Sequence, residues 1–434
     1  MNDPSTITDP RAYLASLETF GIKLGLSTIA ALTAALGHPE RAFQPVHIAG
    51  TNGKGSVAAM AAAALTAAGR RTGRYTSPHL VDLEERIVID GAPVGTAALD
   101  AAILRVRAAA EELRAADVLD VHPTFFEATT AAAFDLFRRA GVEVGVLEVG
   151  LGGRYDATNV VLPVVTAITS IALDHERHLG YTLRAIAFEK AGIVKPGVPL
   201  VVGALPEEAR EVVAAACQER RAPLIEAASG CEVRARRQQG LSLLDVTTPR
   251  TAYRGVRLAL RGAHQVGNAV VAIRLLETLA DRGLTIPAAA VQDGLEQVRW
   301  PARLELVADR HGRQLLVDGA HNPAGAAALA QYIREEWPGG LPVVFGAMRD
   351  KDLAGMLRAL APVARPLIVT TAPGSRAAEA GALARIAESA GLTPPHITPA
   401  PTDALEHGWA EGPLVVVAGS LFLAGDVLAS IARA

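Results

Sequence analysis

The chain has 434 residues, more than the roughly 250–300 at which a single hydrophobic core stops growing, so we expect two domains. A formal net charge of −3 and a pI near 6.4 argue against a protein that coats nucleic acid and favour small anionic ligands. Cys217 and Cys231 match no metal-binding spacing, residues 1–20 are too polar for a signal peptide, and no uncharged apolar run reaches the roughly 18 residues that span a bilayer. We therefore expect a reduced, cytoplasmic protein without a membrane or nucleic-acid partner.

The first predicted elements are two short helices joined by a glycine-containing loop. Residues 11–20 favour a helix, and the glycines of the loop 20–25 allow it to fold over a ligand. Ser27 is a helix-capping residue type, so we expect it to cap a helix that runs to Leu36.

A glycine-rich loop then joins a predicted buried strand, which contains Ile48, to an alanine-rich helix over 57–68. Strand, loop and helix in this order place backbone N–H groups and a helix N-terminus around an anion, with Lys54 reaching the outer phosphates. The loop is a variant, because the pattern G-x-x-x-x-G-K-[ST] requires glycine where this chain has Ile48 and allows no residue between Lys54 and Ser56. An ordinary glycine-rich turn is the alternative, but we interpret residues 50–56 as a nucleoside triphosphate site.

Further along the chain, polar residues stand where apolar runs end. Residues 73–80 are typical of a strand edge that breaks into a polar turn, and 142–149 predicts a strand that carries Glu148 near its end. An acidic residue at that position, in a chain with a phosphate loop, is where a metal ligand is expected. The run 164–173 predicts the next strand and delivers His175. Helical periodicity covers 97–116, 126–140 and 182–192.

The rest of the chain divides into a weakly patterned segment and a second α/β region. Residues 150–159 are too glycine-rich for a helix or strand. After a short strand over 199–202, alternating residues near 240–260 suggest a peripheral antiparallel piece. We interpret 298–303 as the connection to a smaller α/β domain, because four apolar runs beyond it alternate with helical stretches. These runs are 314–317, 342–345, 367–371 and 414–418.

Six motifs accumulate in chain order and carry a resemblance to a known family. They are Gly50-Thr51-Asn52-Gly53-Lys54-Gly55-Ser56, Thr76-Ser77-Pro78-His79-Leu80, Glu148-Val149-Gly150-Leu151-Gly152-Gly153-Arg154, Leu173-Asp174-His175, Glu189-Lys190-Ala191-Gly192 and Asp318-Gly319-Ala320-His321-Asn322-Pro323. Together they resemble the folylpolyglutamate synthase/dihydrofolate synthase family, a branch of the Mur ligase superfamily. Without the resemblance, the residues would indicate only an ATP-using α/β enzyme.

The resemblance implies a fold and a reaction. The fold is α/β, with a P-loop Rossmann-like central domain over 1–297 and a smaller Rossmann-like C-terminal domain over 298–434. The reaction is an ATP-dependent ligation that requires Mg²⁺, in which an acyl phosphate of the substrate is attacked by L-glutamate. The acyl substrate is dihydropteroate, a reduced folate such as tetrahydrofolate, or both, and the motifs do not distinguish these. We expect a monomer with its ligands in the cleft between the domains.

Residue by residue, the resemblance also implies the ATP and metal sites. The ATP set is Thr51, Asn52, Gly53, Lys54, Gly55, Ser56, Asn268, Arg303 and Asp318. Ser56 is expected to cap the helix behind the phosphates, and a cap or a surface salt bridge is the alternative for the last three. The resemblance implies that Ser77, Glu148 and His175 are the Mg²⁺ ligands. A turn residue is the alternative for His175, but ligation is favoured because the strand before it is expected to neighbour the one that carries Glu148.

The substrate and catalytic sets follow in the same way. Pterin contacts are implied for Thr124, Phe125, Phe126, Glu127, Tyr155, Asp156 and Ala157. Glutamate contacts are implied for His321 and Ser420, and a helix cap is the alternative for both. Two adjacent phenylalanines are also typical of a core, which is the alternative for that pair. The catalytic residues are Lys54, Lys190 and His321, and Lys190 is expected to be carbamylated rather than a solvated lysine paired with a carboxylate.

Two other functions are alternatives to this interpretation. A peptidoglycan-type Mur ligase would use a nucleotide-linked acyl substrate, but the Gly152-Gly153-Arg154 loop and the Phe125-Phe126 pair argue against it. A nucleotide-driven switch would seldom carry a second sheet domain with its own polar cluster of Asp318, His321 and Ser420.

Overall fold

The computed structural model describes residue 4, residues 7–21, residue 23 and residues 25–433, without the side chains of Phe20 and Arg433. The loop 20–25, expected to fold over a ligand, therefore lies partly outside the described residues. The helices are α1 (Pro10–Ser16), α2 (Ser27–Ala35), α3 (Lys54–Ala67), α4 (Thr96–Ala115), α5 (Phe125–Arg139), α6 (Glu176–Leu179), α7 (Leu183–Ala191), α8 (Glu207–Glu219), α9 (Ala263–Asp281), α10 (Ala288–Gln297), α11 (Pro323–Glu336), α12 (Leu353–Leu360), α13 (Ala380–Ser389), α14 (Pro401–Glu411) and α15 (Leu421–Arg433).

The strands of the described residues form three sheets. They are β1 (Gln44–Ala49), β2 (Thr72–Tyr75), β3 (Ile87–Ile89), β4 (Ala92–Pro93), β5 (Val144–Glu148), β6 (Val165–Ile168), β7 (Leu200–Val202), β8 (Leu224–Glu226), β9 (Glu232–Gln238), β10 (Leu241–Thr247), β11 (Ala252–Leu258), β12 (Glu305–Ala308), β13 (Gln314–Val317), β14 (Leu341–Phe345), β15 (Ala364–Val369), β16 (His396–Ile397) and β17 (Leu414–Ala418).

The largest sheet has eight strands in the order β4-β3-β2-β5-β1-β6-β7-β8. The six strands from β2 to β8 are parallel, and β3 and β4 add an antiparallel edge. The phosphate-loop strand β1 lies between β5 and β6, pairing Ile48 with Glu148 on one side and Ala49 with Ile168 on the other. The expectation that the strand of Glu148 neighbours the strand before His175 is therefore wrong, because β1 separates them.

The other two sheets follow the predicted organisation. Strands β11-β10-β9 form a three-stranded antiparallel sheet, which confirms a peripheral antiparallel piece, although β9 was not predicted. The six-stranded sheet β12-β13-β17-β14-β15-β16 is parallel except for β12 and contains all four predicted apolar runs. The predicted domain boundary at residue 298 falls between α10 and β12.

Helix and strand ends differ from the predictions in local detail. The helix predicted over 57–68 begins at Lys54, and the strand predicted over 164–173 is only β6. Ser27 is the first residue of α2 rather than its cap. Ser56 likewise does not cap α3, because Gly53 holds the cap position. Glycine suits that position since its φ is 86°, in the left-handed region that side chains disfavour.

Both faces of the large sheet are covered, which explains why its parallel strands are apolar throughout. On β5, Val146 packs in a core with α3, α9 and the three-stranded sheet, whereas Leu147 packs in a core with α4 and α5 on the opposite face. A third cluster beneath α7 and α8 completes this face. Within the described residues, no helix combines the length and apolarity needed to cross a membrane.

A buried carboxylate attaches the three-stranded sheet to α9. Glu277 accepts hydrogen bonds from Thr248 Oγ1 at 2.6 Å and Tyr253 OH at 3.1 Å, and pairs with Arg274 at 2.7 Å. We predict that Glu277→Ala lowers the free energy of unfolding by about 3 kcal/mol, because it leaves a largely buried arginine unpaired.

Urea unfolding of the purified protein measures this loss. The control is Glu296→Ala, since Glu296 is exposed and accepts one bond from the backbone of Arg257. The Glu296→Ala variant should change the free energy of unfolding by no more than about 0.5 kcal/mol. Equal losses for the two variants would contradict the anchoring role of Glu277.

Candidate active site

A cavity of about 550 Å³ lies between the two large sheets and brings together residues from both. It is lined by all nine predicted ATP residues, by the three predicted metal ligands, and by His321 and Ser420. Parallel strands of a sheet direct their C-terminal loops to one edge, so residues from the ends of β1, β5 and β6 meet there. The second sheet contributes the loops after β13 and β17.

The phosphate loop is fastened to the end of β6. Thr51 Oγ1 donates to Ala172 O at 3.1 Å and accepts from Ala172 N at 3.0 Å. The backbone N–H of Asn52 donates to Ser170 Oγ at 3.0 Å. Lys54 Nζ lies within hydrogen-bond distance of Gly50 O and Thr51 O, at 3.1 and 3.2 Å. The lysine is thus folded over its own loop, where its charge would face an anion bound there.

Helix α9 supports the loop from a second direction. Asn268 Nδ2 donates to Gln265 Oε1 at 2.9 Å, and Gln265 Nε2 donates to Ser56 Oγ at 3.2 Å. A Cβ added to Gly53 would lie 2.4 Å from Asn268 Oδ1, so glycine is required for this approach. Asn268 therefore contacts the loop directly, in keeping with a place beside a nucleotide.

A polar bridge connects the phosphate loop with the second sheet. The side-chain amides of Asn52 and Asn322 exchange two hydrogen bonds, of 2.9 and 3.2 Å. Asn322 Nδ2 also donates to Asp174 Oδ2 at 3.0 Å, and Lys351 Nζ pairs with Asp174 Oδ1 at 2.6 Å. Burial alone would raise the pKa of Asp174, but His175, Lys351 and His321 hold it well below its usual range.

The predicted metal ligands fit a hard cation by their chemistry. Glu148 is buried, which raises the pKa of its carboxyl, and one of its oxygens accepts from Ser77 N at 3.2 Å. His175 lines the same cavity from the other side of β1. Among the described residues, no three His, Cys, Asp or Glu side chains form a ready metal cluster. A cation here would thus need phosphate oxygens or water to complete its ligands.

Lys190 is buried rather than solvated, and its Nζ donates to Gly50 O at 2.8 Å. Burial and the nearby Lys54 lower the pKa of Lys190 to about 7. A substantial fraction of this amine is therefore neutral near neutral pH, which carbamylation by carbon dioxide requires. It does not line the cavity itself but lies directly behind the phosphate loop.

The loops after β13 and β17 present polar groups to the cavity. His321 Nδ1 must carry a hydrogen, because it lies 2.8 Å from the carbonyl oxygen of Gly319, which only accepts. Burial, followed by the charge of Lys351, lowers the pKa of His321 to about 4, so its Nε2 is an acceptor near neutral pH. Asp318 accepts from the backbone of Leu304 and Ala320, at 2.9 Å each, and so ties the incoming chain to this loop.

Comparisons with known proteins agree with this geometry. Residues 48–276 match the Mur ligase middle domain, and residues 302–421 match the Mur ligase, glutamate ligase domain. A Bacillus subtilis protein named dihydrofolate synthase/folylpolyglutamate synthase is 33% identical over 428 residues, covering 96% of this chain and 97% of that protein. A Mycobacterium tuberculosis protein of the same name is 39% identical, covering 83% of this chain and 76% of its own.

This chain belongs to the dihydrofolate synthase/folylpolyglutamate synthase family. Solved structures agree: M. tuberculosis folylpolyglutamate synthase complexed with ADP and AMPPCP has a TM-score of 0.90 and 36% identity, covering 98% of this chain and all of that one. E. coli FolC in complex with DHPP and ADP has a TM-score of 0.87 and 29% identity, covering 100% and 99% of the two chains. The predicted α/β fold of the Mur ligase type is confirmed.

The predicted pterin residues of this synthase-family chain lie outside that cavity. Thr124 caps α5, where its hydroxyl and backbone N–H both donate to Glu127. Phe126 packs under Gly150, and Phe125 stacks against Arg86. Their contacts in the described residues are a helix cap and partial core packing, and their contact with a pterin stays a prediction.

The predicted glycine-rich loop is organised by Asp156. Its carboxylate, buried at the loop's end, accepts from Leu151 N at 2.8 Å and from the N–H and hydroxyl of Thr158. Tyr155 is partly exposed beside Arg154, and Ala157 starts a short 3₁₀ helix. Ser420 Oγ accepts from Phe422 N at 3.1 Å at the start of α15.

Sequence reasoning missed Asp174, Asn322 and Lys351 as site residues, although the first two stand in quoted motifs. Lys351 lies 177 positions from Asp174, so no local pattern could pair them. Gln265 was likewise missed, but its spacing of three residues from Asn268 in a helix predicts a shared face.

We predict that Asn322→Asp lowers kcat/KM for ligation by about 100-fold, because small displacements of catalytic groups are costly. The aspartate keeps the oxygen that accepts from Gly325 N and caps α11, but it replaces the amide donor with an oxygen that repels Asp174. Steady-state kinetics and a thermal melt measure the two effects. The matched cap variant Asp9→Asn, at α1, should remain near native in both. Native kinetics for Asn322→Asp would contradict the bridge.

Proposed function

We propose that this protein is an ATP-dependent ligase that joins L-glutamate to a folate-type carboxylate. Its reaction would form dihydrofolate from dihydropteroate, extend tetrahydrofolate with γ-linked glutamate, or do both. The observation that carries the proposal is the single cavity in which a phosphate loop from one sheet faces His321 and Ser420 from the other. The named activities of the relatives and the ADP-bound structures support the same reaction.

The chemistry divides into two transfers. An oxygen of the substrate carboxylate attacks the γ-phosphorus of ATP, the bond to the β–γ bridging oxygen breaks, and ADP leaves. The glutamate nitrogen then attacks the acyl carbon of the acyl phosphate, and the tetrahedral adduct expels inorganic phosphate as the amide forms. The nitrogen releases its protons along the way. Activation is needed because a free carboxylate has no good leaving group for an amine to displace.

In this scheme, residues of the cavity hold charge and protons. Lys54 and the N–H groups of the loop stabilise the phosphates, and Arg303 adds a cation from the connecting segment. His321, neutral and with Nε2 as acceptor, is suited to accept a hydrogen bond from the incoming glutamate nitrogen and so to orient it. Ser77, Glu148 and His175 would hold Mg²⁺, which supplies positive charge to the phosphates when bound.

The family assignment also bears on the alternatives. A peptidoglycan-type ligase is less supported, because the matched relatives and structures are folate enzymes over nearly their full lengths. A cytoplasmic monomer remains our expectation. Free thiols at Cys217 and Cys231 suit a reducing compartment.

Initial-rate assays decide between the activities. The purified protein is mixed with ATP, MgCl₂ and L-glutamate, together with dihydropteroate, with tetrahydrofolate or with a UDP-linked muramyl substrate. We expect glutamate-dependent ADP release with at least one pteridine substrate and none with the muramyl compound. ADP release that does not require glutamate would favour a nucleotide-driven switch instead.

Lys54→Ala should lower kcat by about 10²–10³, because the transferred phosphoryl group loses a preorganised cation. The fold should persist, since the hydrogen bonds that the lysine makes to described residues go to carbonyls of its own loop. Circular dichroism checks the fold, and coupled ADP release measures the rate. A folded variant with native turnover would refute the phosphate-loop assignment.

We further predict that Lys190 carries a carbamate in the active enzyme. Because its pKa is about 7, the neutral amine and hence the carbamate increase as the pH rises through that value. In ¹³C-bicarbonate, the native protein should show a carbamate ¹³C signal that Lys190→Ala lacks. The variant should lose most activity and regain part of it with a small carboxylic acid. A native enzyme that is active but unlabelled would exclude the modification.

A further inference from the structure

The indole of Trp300 lies against the first turn of the phosphate-loop helix. Trp300 belongs to segment 298–303, which joins the two large sheets, and Gly55 follows Lys54 in α3. A Cβ added to Gly55 would lie 2.5 Å from Trp300 Cζ2 and 2.9 Å from Cε2, and all three nearest atoms belong to this indole. Gly55 does not have a positive φ, so its backbone would accept alanine. The indole is therefore the nearest obstacle to a side chain at this position.

The guanidinium group of Arg74 stacks on the same indole ring. The guanidinium carbon of Arg74 lies 4.7 Å from the ring centroid, within the range of a cation–π contact. Arg74 Nε and Trp300 Nε1 are both buried and have no hydrogen-bond partner in the described part of the chain, so stacking holds the pair together.

The position of Trp300 relative to the cavities shows which side of the loop it supports. Gly55 lines the cavity that contains the predicted ATP residues, which we call the nucleotide cavity. Trp300 and Arg74 line a second cavity of about 550 Å³. Ser77, Glu148 and Arg303 line both. The indole thus contacts the phosphate loop from outside the nucleotide cavity. Trp300 itself lies in the segment that leads into the second domain.

We propose that Trp300 is a positioning residue that holds Gly55, and with it the start of the phosphate-loop helix, in the geometry that phosphoryl transfer requires. The proposal rests on the proposed ligase function. It connects the interdomain segment to the phosphate loop through the contact between the indole and Gly55. Loss of the indole frees the start of α3 and removes the support of Arg74, and small displacements at a reacting centre reduce rates steeply.

A double-mutant cycle tests the contact. Trp300→Ala and Gly55→Ala should each lower kcat about 10-fold or more and leave the KM for the pteridine substrate within about twofold. In the Trp300→Ala background, Gly55→Ala should cost at least about fivefold less than in the native protein, because its methyl group then has room. Additive effects, or a fully active Gly55→Ala, would overturn the proposal.

Further variants separate positioning from a loss of folding. Trp300→Phe should recover most of kcat, since a flat ring still faces Gly55. Trp409→Ala is the matched control, because Trp409 also stacks on an arginine, Arg313, but far from the loop in the second domain. The kcat of Trp409→Ala should be near that of the native protein. If Trp300→Ala does not fold, Trp300→Leu replaces it in the cycle, since leucine also vacates the space next to Gly55.

A second measurement distinguishes this proposal from the proposed function. The affinity of each cycle member for MgATP, measured by titration calorimetry without a pteridine, should show the same non-additivity. A native protein that binds ATP but ligates no pteridine would refute the ligase function, and the affinity cycle would still decide the role of Trp300. Additive ATP affinities would overturn that role even in an active ligase.

Discussion

The structure depends on the pair of amides that joins Asn52 to Asn322. Each amide satisfies the other, and the pair fixes the phosphate loop of one sheet to the first turn of a helix in the other. Buried amides are costly unless their donors and acceptors are matched, so this contact forms only in one relative arrangement of the two sheets. Asp174 and Lys351 extend it, which places a carboxylate and an ammonium at the border of the cavity. The site is therefore a property of the interface rather than of either sheet.

Much of this could be predicted from the sequence where the determining pattern is local. Patterns of neighbouring residues predict the phosphate loop, the strand that ends in Glu148 and the four runs of the second sheet. The structure contains each of these elements. The order of the strands in the sheet does not depend on neighbouring residues. The predicted pairing of the strands near Glu148 and His175 was wrong for this reason. A strand inserted between two others leaves no trace in the periodicity of either.

The segment Thr124–Glu127 is an instructive intermediate case. Its pattern of threonine followed three residues later by glutamate is a capping-box signature, and the structure uses it as one. The family resemblance implies a ligand contact for this segment, whereas its local sequence already predicts the start of a helix. Both roles are compatible, because a cap that fixes the helix also fixes the faces of Phe125 and Phe126. A ligand role for this segment cannot be read from composition, since it depends on what the neighbouring loop brings near.

Electrostatics explain why the site is arranged around an anion. Lys54 and Lys190 lie on either side of the Gly50 carbonyl, and Arg303 enters from the connecting segment. Burial lowers the pKa of Lys190, and repulsion from the nearby Lys54 in this low-dielectric setting lowers it further. A triphosphate would reverse the balance by supplying the missing negative charge. The same surroundings that make Lys190 a poor cation make it a good nucleophile toward carbon dioxide, so the burial that lowers its pKa also favours the chemistry proposed for it.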